Sequence, residues 1–198
     1  DEMRSDPSEF WQKTASPWHY ITVPDGKHYH EVGAPHEGDA LSALDNFTKT
    51  LKDPSASLED KQLALRFIVH IIGDLHQPLH VGNGTDRGGN DVKVKYFGED
   101  RNLHGVWDTS MIEGEQLSFT EWTSFLDYKI TDDVKDSWWD ADPMTWVSES
   151  AEIRDTIYPK DSDLRWSYKY ENLPTVKTRL SMAGVRIAAY LNTVFAGE

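Results

Sequence analysis

The stretch SLEDKQLALRFIVHIIGDLHQPLH, residues 57–80, constrains the rest of the chain more than any other segment. Ser57 stands where a helix N-cap belongs, acids come next in the first turn, and the segment then becomes apolar on nearly every side. A helix of that kind belongs in the middle of a fold, with other helices around it. Pro78 predicts where it ends, because the residue before a proline is pushed out of the helical region. Into this apolar surface the sequence sets His70 and Asp74, followed by His76 and His80. His70 and Asp74 are four residues apart, so on a helix they share a face, one turn from each other. An ionised carboxylate in such surroundings costs several kcal/mol or more unless it is paired.

One isolated pair of this spacing is most simply a hydrogen bond in the core, but here the pair is not isolated. His80 comes after Pro78, where a change of chain direction can return it over the helix end. Downstream, NLHGVWDTS carries a second pair of the same spacing, His104 and Asp108. The chain has no cysteine, which excludes disulfides and thiolate metal sites. Any metal must therefore be held by imidazole and carboxylate. Two His-x-x-x-Asp pairs together with His80 favour zinc, which takes such ligands at about 2.0–2.2 Å.

At 198 residues the chain fits one domain, read here as spanning 1–198, with no internal repeat or linker. DALSALDNFTKTL (39–51) spaces Leu41, Leu44, Phe47 and Leu51 at helical steps. Helices are also expected over 119–130, over 142–158 with Asp142 as cap and Pro143 at the first position, and over 173–195 with a proline near its start. The one strand signal is DVKVKYF (91–97), directly after the glycine-rich GNGTDRGGN. The expected fold class is mainly α, with one small β-hairpin.

A net charge of -14 argues against gripping nucleic acid through a basic face. Bound divalent cations would reverse that locally. No apolar run approaches the ~18–20 residues of a membrane span.

Taken in order, DEMR, PWHYI, HIIGDLHQPLH, GGNDVKVKYFG and NLHGVWDTSMIE resemble the S-one/P-one family of zinc-dependent, single-strand-specific nucleases. That family shares its fold with a bacterial zinc phospholipase C. The resemblance runs from residue 1 to about 113 and implies a helical domain holding three zinc ions. It places Asp1, His19, His70 and Asp74 on the first zinc and His80, His104 and Asp108 on the second. Asp74 would bridge to a third zinc, whose other ligands lie upstream of the segment that Asp1 matches. The natural protein is accordingly expected to carry on the order of forty more residues ahead of Asp1, within ordinary domain size.

The implied activity is hydrolysis of single-stranded DNA and RNA to 5′-phosphate products, with 3′-nucleotides as further substrates. Asp1 and Arg4 would serve catalysis, Arg4 as a planar charged fork for a phosphate oxygen. Tyr20 would line the base pocket and Asn90 would hydrogen-bond the base. The resemblance also implies a secreted or periplasmic monomer. Within the same fold the alternative is a phospholipase C acting on lipid headgroups; outside it, an inactive zinc-stabilised helical module.

Overall fold

A computed structural model describes residues 6–196, which leaves Asp1 and Arg4 outside the described residues. The described helices are α1 (Tyr29–Val32), α2 (Ala40–Lys52), α3 (Leu58–His76), α4 (Leu103–Gly105), α5 (Met111–Glu113), α6 (Phe119–Asp127), α7 (Asp132–Trp138), α8 (Pro143–Ile157) and α9 (Trp166–Phe195). The strands are short: β1 (Ile21–Thr22), β2 (Val81–Gly82), β3 (Lys93–Tyr96), β4 (Glu99–Asn102) and β5 (Asp163–Leu164). The fold is mainly α, as the periodicity predicts.

The local rules hold at most helix starts. Asp39 and Ser57 cap α2 and α3 by accepting the Ser42 and Asp60 N–H groups, and Asp142 caps α8 ahead of Pro143. The expected hairpin is β3 with β4, antiparallel from Lys93–Asn102 to Tyr96–Glu99. Beyond the sequence expectation, β5 joins β3 in parallel, and β1 pairs in parallel with β2 through Ile21–Val81 and Thr22–Gly82. That last ladder matters for the site, because it draws together the residues just upstream, His19 and His80.

Two expectations need correction. The long closing helix begins at Trp166 rather than near residue 173, and it contains Pro174. An interior proline costs about 3 kcal/mol in a helix. The first turns are held by tertiary contacts that periodicity cannot register: the Tyr168 hydroxyl donates to the Ile157 carbonyl (2.7 Å) and accepts the Trp107 indole N–H (2.9 Å), while Lys169 pairs with Glu115 at 2.9 Å. Second, α3 is not covered on all sides. Phe67, Ile68, Ile71, Ile72 and Leu75 are buried against α2, α8 and α9, but Leu58, Leu65 and Val69 are 73%, 38% and 39% exposed.

Two apolar clusters meet at the end of α3. One contains Leu44, Ile68, Ile72, Val81 and Trp146; the other contains Leu79, Val94, Leu103, Val106 and Trp107. Pro78–His80 forms a single 3-10 turn between them, with Leu79 in one cluster and Val81 in the other.

The buried end of α3 must satisfy its last carbonyls without water. The Gln77 N–H takes the Asp74 carbonyl, the Ser150 hydroxyl takes that of Leu75 (2.6 Å), and Arg179 Nε takes that of His76 (3.1 Å). His76 donates through Nδ1 to the Ile72 carbonyl (2.7 Å), leaving Nε2 to accept from Arg186 (3.2 Å). Burial, together with the charge of Arg179, pushes His76 down to about 3, so it is neutral in this role. Glu149 binds both guanidinium groups, Arg179 at 2.6 Å and Arg186 at 2.5 and 2.8 Å. Arg154 on α8 does similar work for the β1–β2 ladder, donating to the carbonyls of Val23 (2.8 Å) and Val81 (2.9 Å).

Burial alone would raise the Glu149 carboxyl, but hydrogen bonds from Arg186 and Arg179 bring it down to about 2. A carboxyl lowered in the folded state stabilises above its ordinary value, and that stability is lost as pH falls toward the folded value. Glu149→Gln leaves two buried guanidinium groups without a counter-charge and is expected to cost about 3 kcal/mol at pH 7, read by urea unfolding. The deficit should shrink as pH falls from 4.5 toward 2, where the native side chain itself becomes neutral.

Candidate metal centre

The last two turns of α3 present His70 and Asp74 on one face, and the 3-10 turn Ser16–His19 brings His19 against them. His19 Nδ1 lies 3.0 Å from Asp74 Oδ2 and 3.0 Å from His70 Nε2, and His70 Nε2 lies 3.1 Å from the same carboxylate oxygen. The edge between ligands in tetrahedral zinc, with bonds of ~2.0–2.1 Å, is about 3.3 Å. The three atoms therefore already form one face of such a polyhedron.

A second group of the same composition stands beside the first. His80 Nε2 is 3.2 Å from Asp108 Oδ1, and His104 Nε2 is 3.1 Å from Asp108 Oδ2. The groups adjoin where His80 Nδ1 comes within 3.8 Å of Asp74 Oδ1. Asp108 sits on a wide π-type turn over Val106–Ser110, which lengthens the helical path between α4 and α5.

Backbone carbonyls fix which imidazole nitrogen points into the second group. The Nδ1–H of His80 donates to the His19 carbonyl (2.6 Å) and that of His104 to the Gly88 carbonyl (2.8 Å), so each ring turns Nε2 toward Asp108. Burial opposes a charge on His80, but the hydrogen bond to Asp108 and the charges of Asp74 and Asp108 raise it to about 9. Burial likewise opposes ionisation of Asp74 and Asp108. Hydrogen bonds from His19 and His70 hold Asp74 below the usual carboxylate range, and bonds from His104 and His80 do the same for Asp108. Both carboxylates are thus anions kept in place by donors. Each group gathers two imidazoles and one carboxylate with ligand atoms within 4.8 Å, a donor set that fits a divalent cation.

The S1/P1 Nuclease family matches residues 1–196. The chain belongs to the S1/P1 nuclease family. It is 32% identical to Nuclease S1 of Aspergillus oryzae, over 91% of this chain and 72% of that protein. Endonuclease 2 of Arabidopsis thaliana is also 32% identical, over 96% of this chain and 76% of its own length. Nuclease P1 of Penicillium citrinum is 32% identical over 81% of this chain and 68% of its own. As an S1/P1 nuclease the chain is a metal-dependent hydrolase of phosphodiesters, and its His/Asp groups can hold that metal.

Of the residues singled out from the sequence, the structure brings together His19, His70 and Asp74, and separately His80, His104 and Asp108. Asp1 and Arg4 lie outside the described residues. Tyr20, the residue after His19, is 48% exposed. Asn90 turns its side-chain amide back onto the Arg87 carbonyl (2.9 Å), in the loop that also carries Gly88. His28 and His30 stack on each other, 5.5 Å between ring centroids, and belong to neither group.

Sequence reasoning missed the loop that orients His104. GNGTDRGGN reads as a loose hairpin entry, yet Asp86 accepts both the Gly89 N–H (2.9 Å) and the Tyr158 hydroxyl (2.7 Å). Gly88 has φ +62°, and a Cβ on it would stand 2.3 Å from the Leu79 carbonyl oxygen. The doubled glycine was the available signal: such close approach of two backbones needs a residue without a side chain. Gly88→Ala is expected to destabilise the chain by about 2 kcal/mol or more in chemical denaturation. It should weaken metal binding as well, because the carbonyl that aims His104 has to move.

Proposed function

We propose that this S1/P1 nuclease is a zinc enzyme that cleaves single-stranded DNA and RNA, leaves 5′ phosphates and also acts on 3′-nucleotides. The observation that carries this reading is the pair of adjoining groups, each with two imidazoles and one carboxylate, in a chain without cysteine. His19, His70 and Asp74 would hold one zinc; His80, His104 and Asp108 would hold another. Zinc, when bound, supplies Lewis acidity that lowers the pKa of water to about 7 and neutralises phosphate oxygens.

The chain's own residues supply the rest. Asp74 and Asp108, held as anions, would bind the zinc ions, and it is the positive charge those ions bring that would let an acidic protein accept a polyanion there. The carbonyls of His19 and Gly88 hold the rings of His80 and His104 with Nε2 facing Asp108. Tyr20, the residue after His19, is exposed, and a base that has left its stack would lie on its ring. Unstacking is cheap in a single strand and costly in a duplex, which supports the strand preference.

The test is elemental analysis run beside release of acid-soluble nucleotides from heat-denatured DNA. Two zinc ions in the described groups, with digestion that a chelator stops and zinc restores, are expected. A chain that binds no zinc under replete conditions, or that digests equally well after chelation, overturns the proposal. Tyr20→Ala should raise KM for single-stranded DNA about tenfold, within the ~1–3 kcal/mol of one base–aromatic stack, and leave zinc content unchanged. An unchanged KM would take Tyr20 out of substrate binding.

A further inference from the structure

Gln77 is the residue at which α3 stops, and all four of its polar groups are engaged. Its N–H donates to the Asp74 carbonyl (2.9 Å), its own carbonyl accepts the His80 N–H (3.0 Å), and its side-chain Oε1 accepts the Leu79 N–H (2.6 Å). The remaining group, Nε2, donates to Asp108 Oδ1 at 2.6 Å, across 31 residues of chain. Asp108 is the more solvent-accessible carboxylate of the two groups, with a side chain 36% exposed against 16% for Asp74. Each of its oxygens meets one imidazole nitrogen, and Gln77 adds a second donor at Oδ1.

We infer that Gln77 is a positioning residue of the second metal group: its amide holds the Asp108 carboxylate in the orientation in which Oδ1 faces His80 and Oδ2 faces His104. This role rests on the zinc reading of the site. An amide suits the task because it donates one directed hydrogen bond without bringing a positive charge. A lysine or arginine there would compete with the metal for the same carboxylate. The side-chain length is also needed, since the donor has to reach from the end of α3 to the turn over Val106–Ser110 while Oε1 stays on the Leu79 N–H. Gln77 thereby ties the ends of both groups to one residue: its backbone meets Asp74 and His80, and its side chain meets Asp108.

The two jobs of the side chain separate in Gln77→Ser. Serine in this position still offers an oxygen to the Leu79 N–H, as an N-cap does, but it is too short to reach Asp108. Zinc affinity is measured by chelator competition in a His70→Ala background, which removes a ligand of the first group and keeps the His19 carbonyl that aims His80. Removing an outer partner of a metal ligand typically weakens binding 10–100-fold, and that loss is expected for Gln77→Ser, with the zinc-free chain still unfolding in one cooperative thermal transition. In an Asp108→Ala background the same substitution should cost nothing further. Should Gln77→Ser not fold, Gln77→Met keeps the length, lacks the donor and carries the same readout. Parental affinity in the variant, or an equal loss without Asp108, overturns the role given to Gln77 alone. A parent that binds no zinc overturns the metal reading and this inference with it.

Discussion

Asp74 is an ionised carboxylate on a helix whose neighbouring side chains are core, and its charge has to be balanced by groups brought from elsewhere in the chain. His70 comes with the helix, one turn away, but His19 is 55 residues distant and must be delivered. Delivery requires the turn Ser16–His19 to dock on Phe67 through Phe10 and Trp18, and the β1–β2 ladder to anchor the chain on its far side. His80 is placed by the same ladder from its other strand. The positions of three ligands thus depend on how one partly buried charge is met.

A helix end that carries such a charge also has to be rigid, and here rigidity comes from behind. The carbonyls of Leu75 and His76 accept from Ser150 and Arg179, that of Ile72 accepts from the His76 ring, and Arg186 and Glu149 complete the network behind them. Cationic donors at a helix C-terminus oppose its partial negative charge, and their own burial is made tolerable by Glu149. One end of α3 therefore has a cationic set of partners on the inner side, with donors and acceptors for metal on the outer side. The neutral His76 lies between the two regimes, donating to α3 and accepting from Arg186.

How far the sequence could be read depends on the range of the interaction. The His70–Asp74 and His104–Asp108 pairs were legible because four-residue spacing is a local property of helices, and the break at Pro78 was legible from the proline alone. The caps at Ser57 and Asp142 belong to the same class. The start of α9 at Trp166 was not, because it is decided by Tyr168 meeting Ile157 and Trp107. The exposed side of α3 escaped for a related reason: an all-round apolar pattern states what could be covered, not what is covered. Gln77 and Asp86 were invisible as site residues because each acts through a partner far along the chain, Asp108 and Tyr158, and only the doubled glycine gave a local sign of that loop.

The two groups are chemically alike and structurally different, and the difference bears on how each would keep its shape. Two of the first group's three residues stand on the long α3, so His70 and Asp74 are fixed by the packing of Ile68, Ile71 and Ile72 on its buried side. The second is built on short turns: His80 on three residues from Pro78, His104 on a three-residue helix, and Asp108 on a widened one. Turns of that length have no helix ladder to hold them. Their order comes from single hydrogen bonds to backbone carbonyls and from glycine where two chain segments touch. Each ring of the second group is therefore only as well placed as one carbonyl, that of His19 or of Gly88. Since the His19 carbonyl belongs to a ligand of the first group, the aim of His80 is set from the first group outward, and disorder at His19 would reach both.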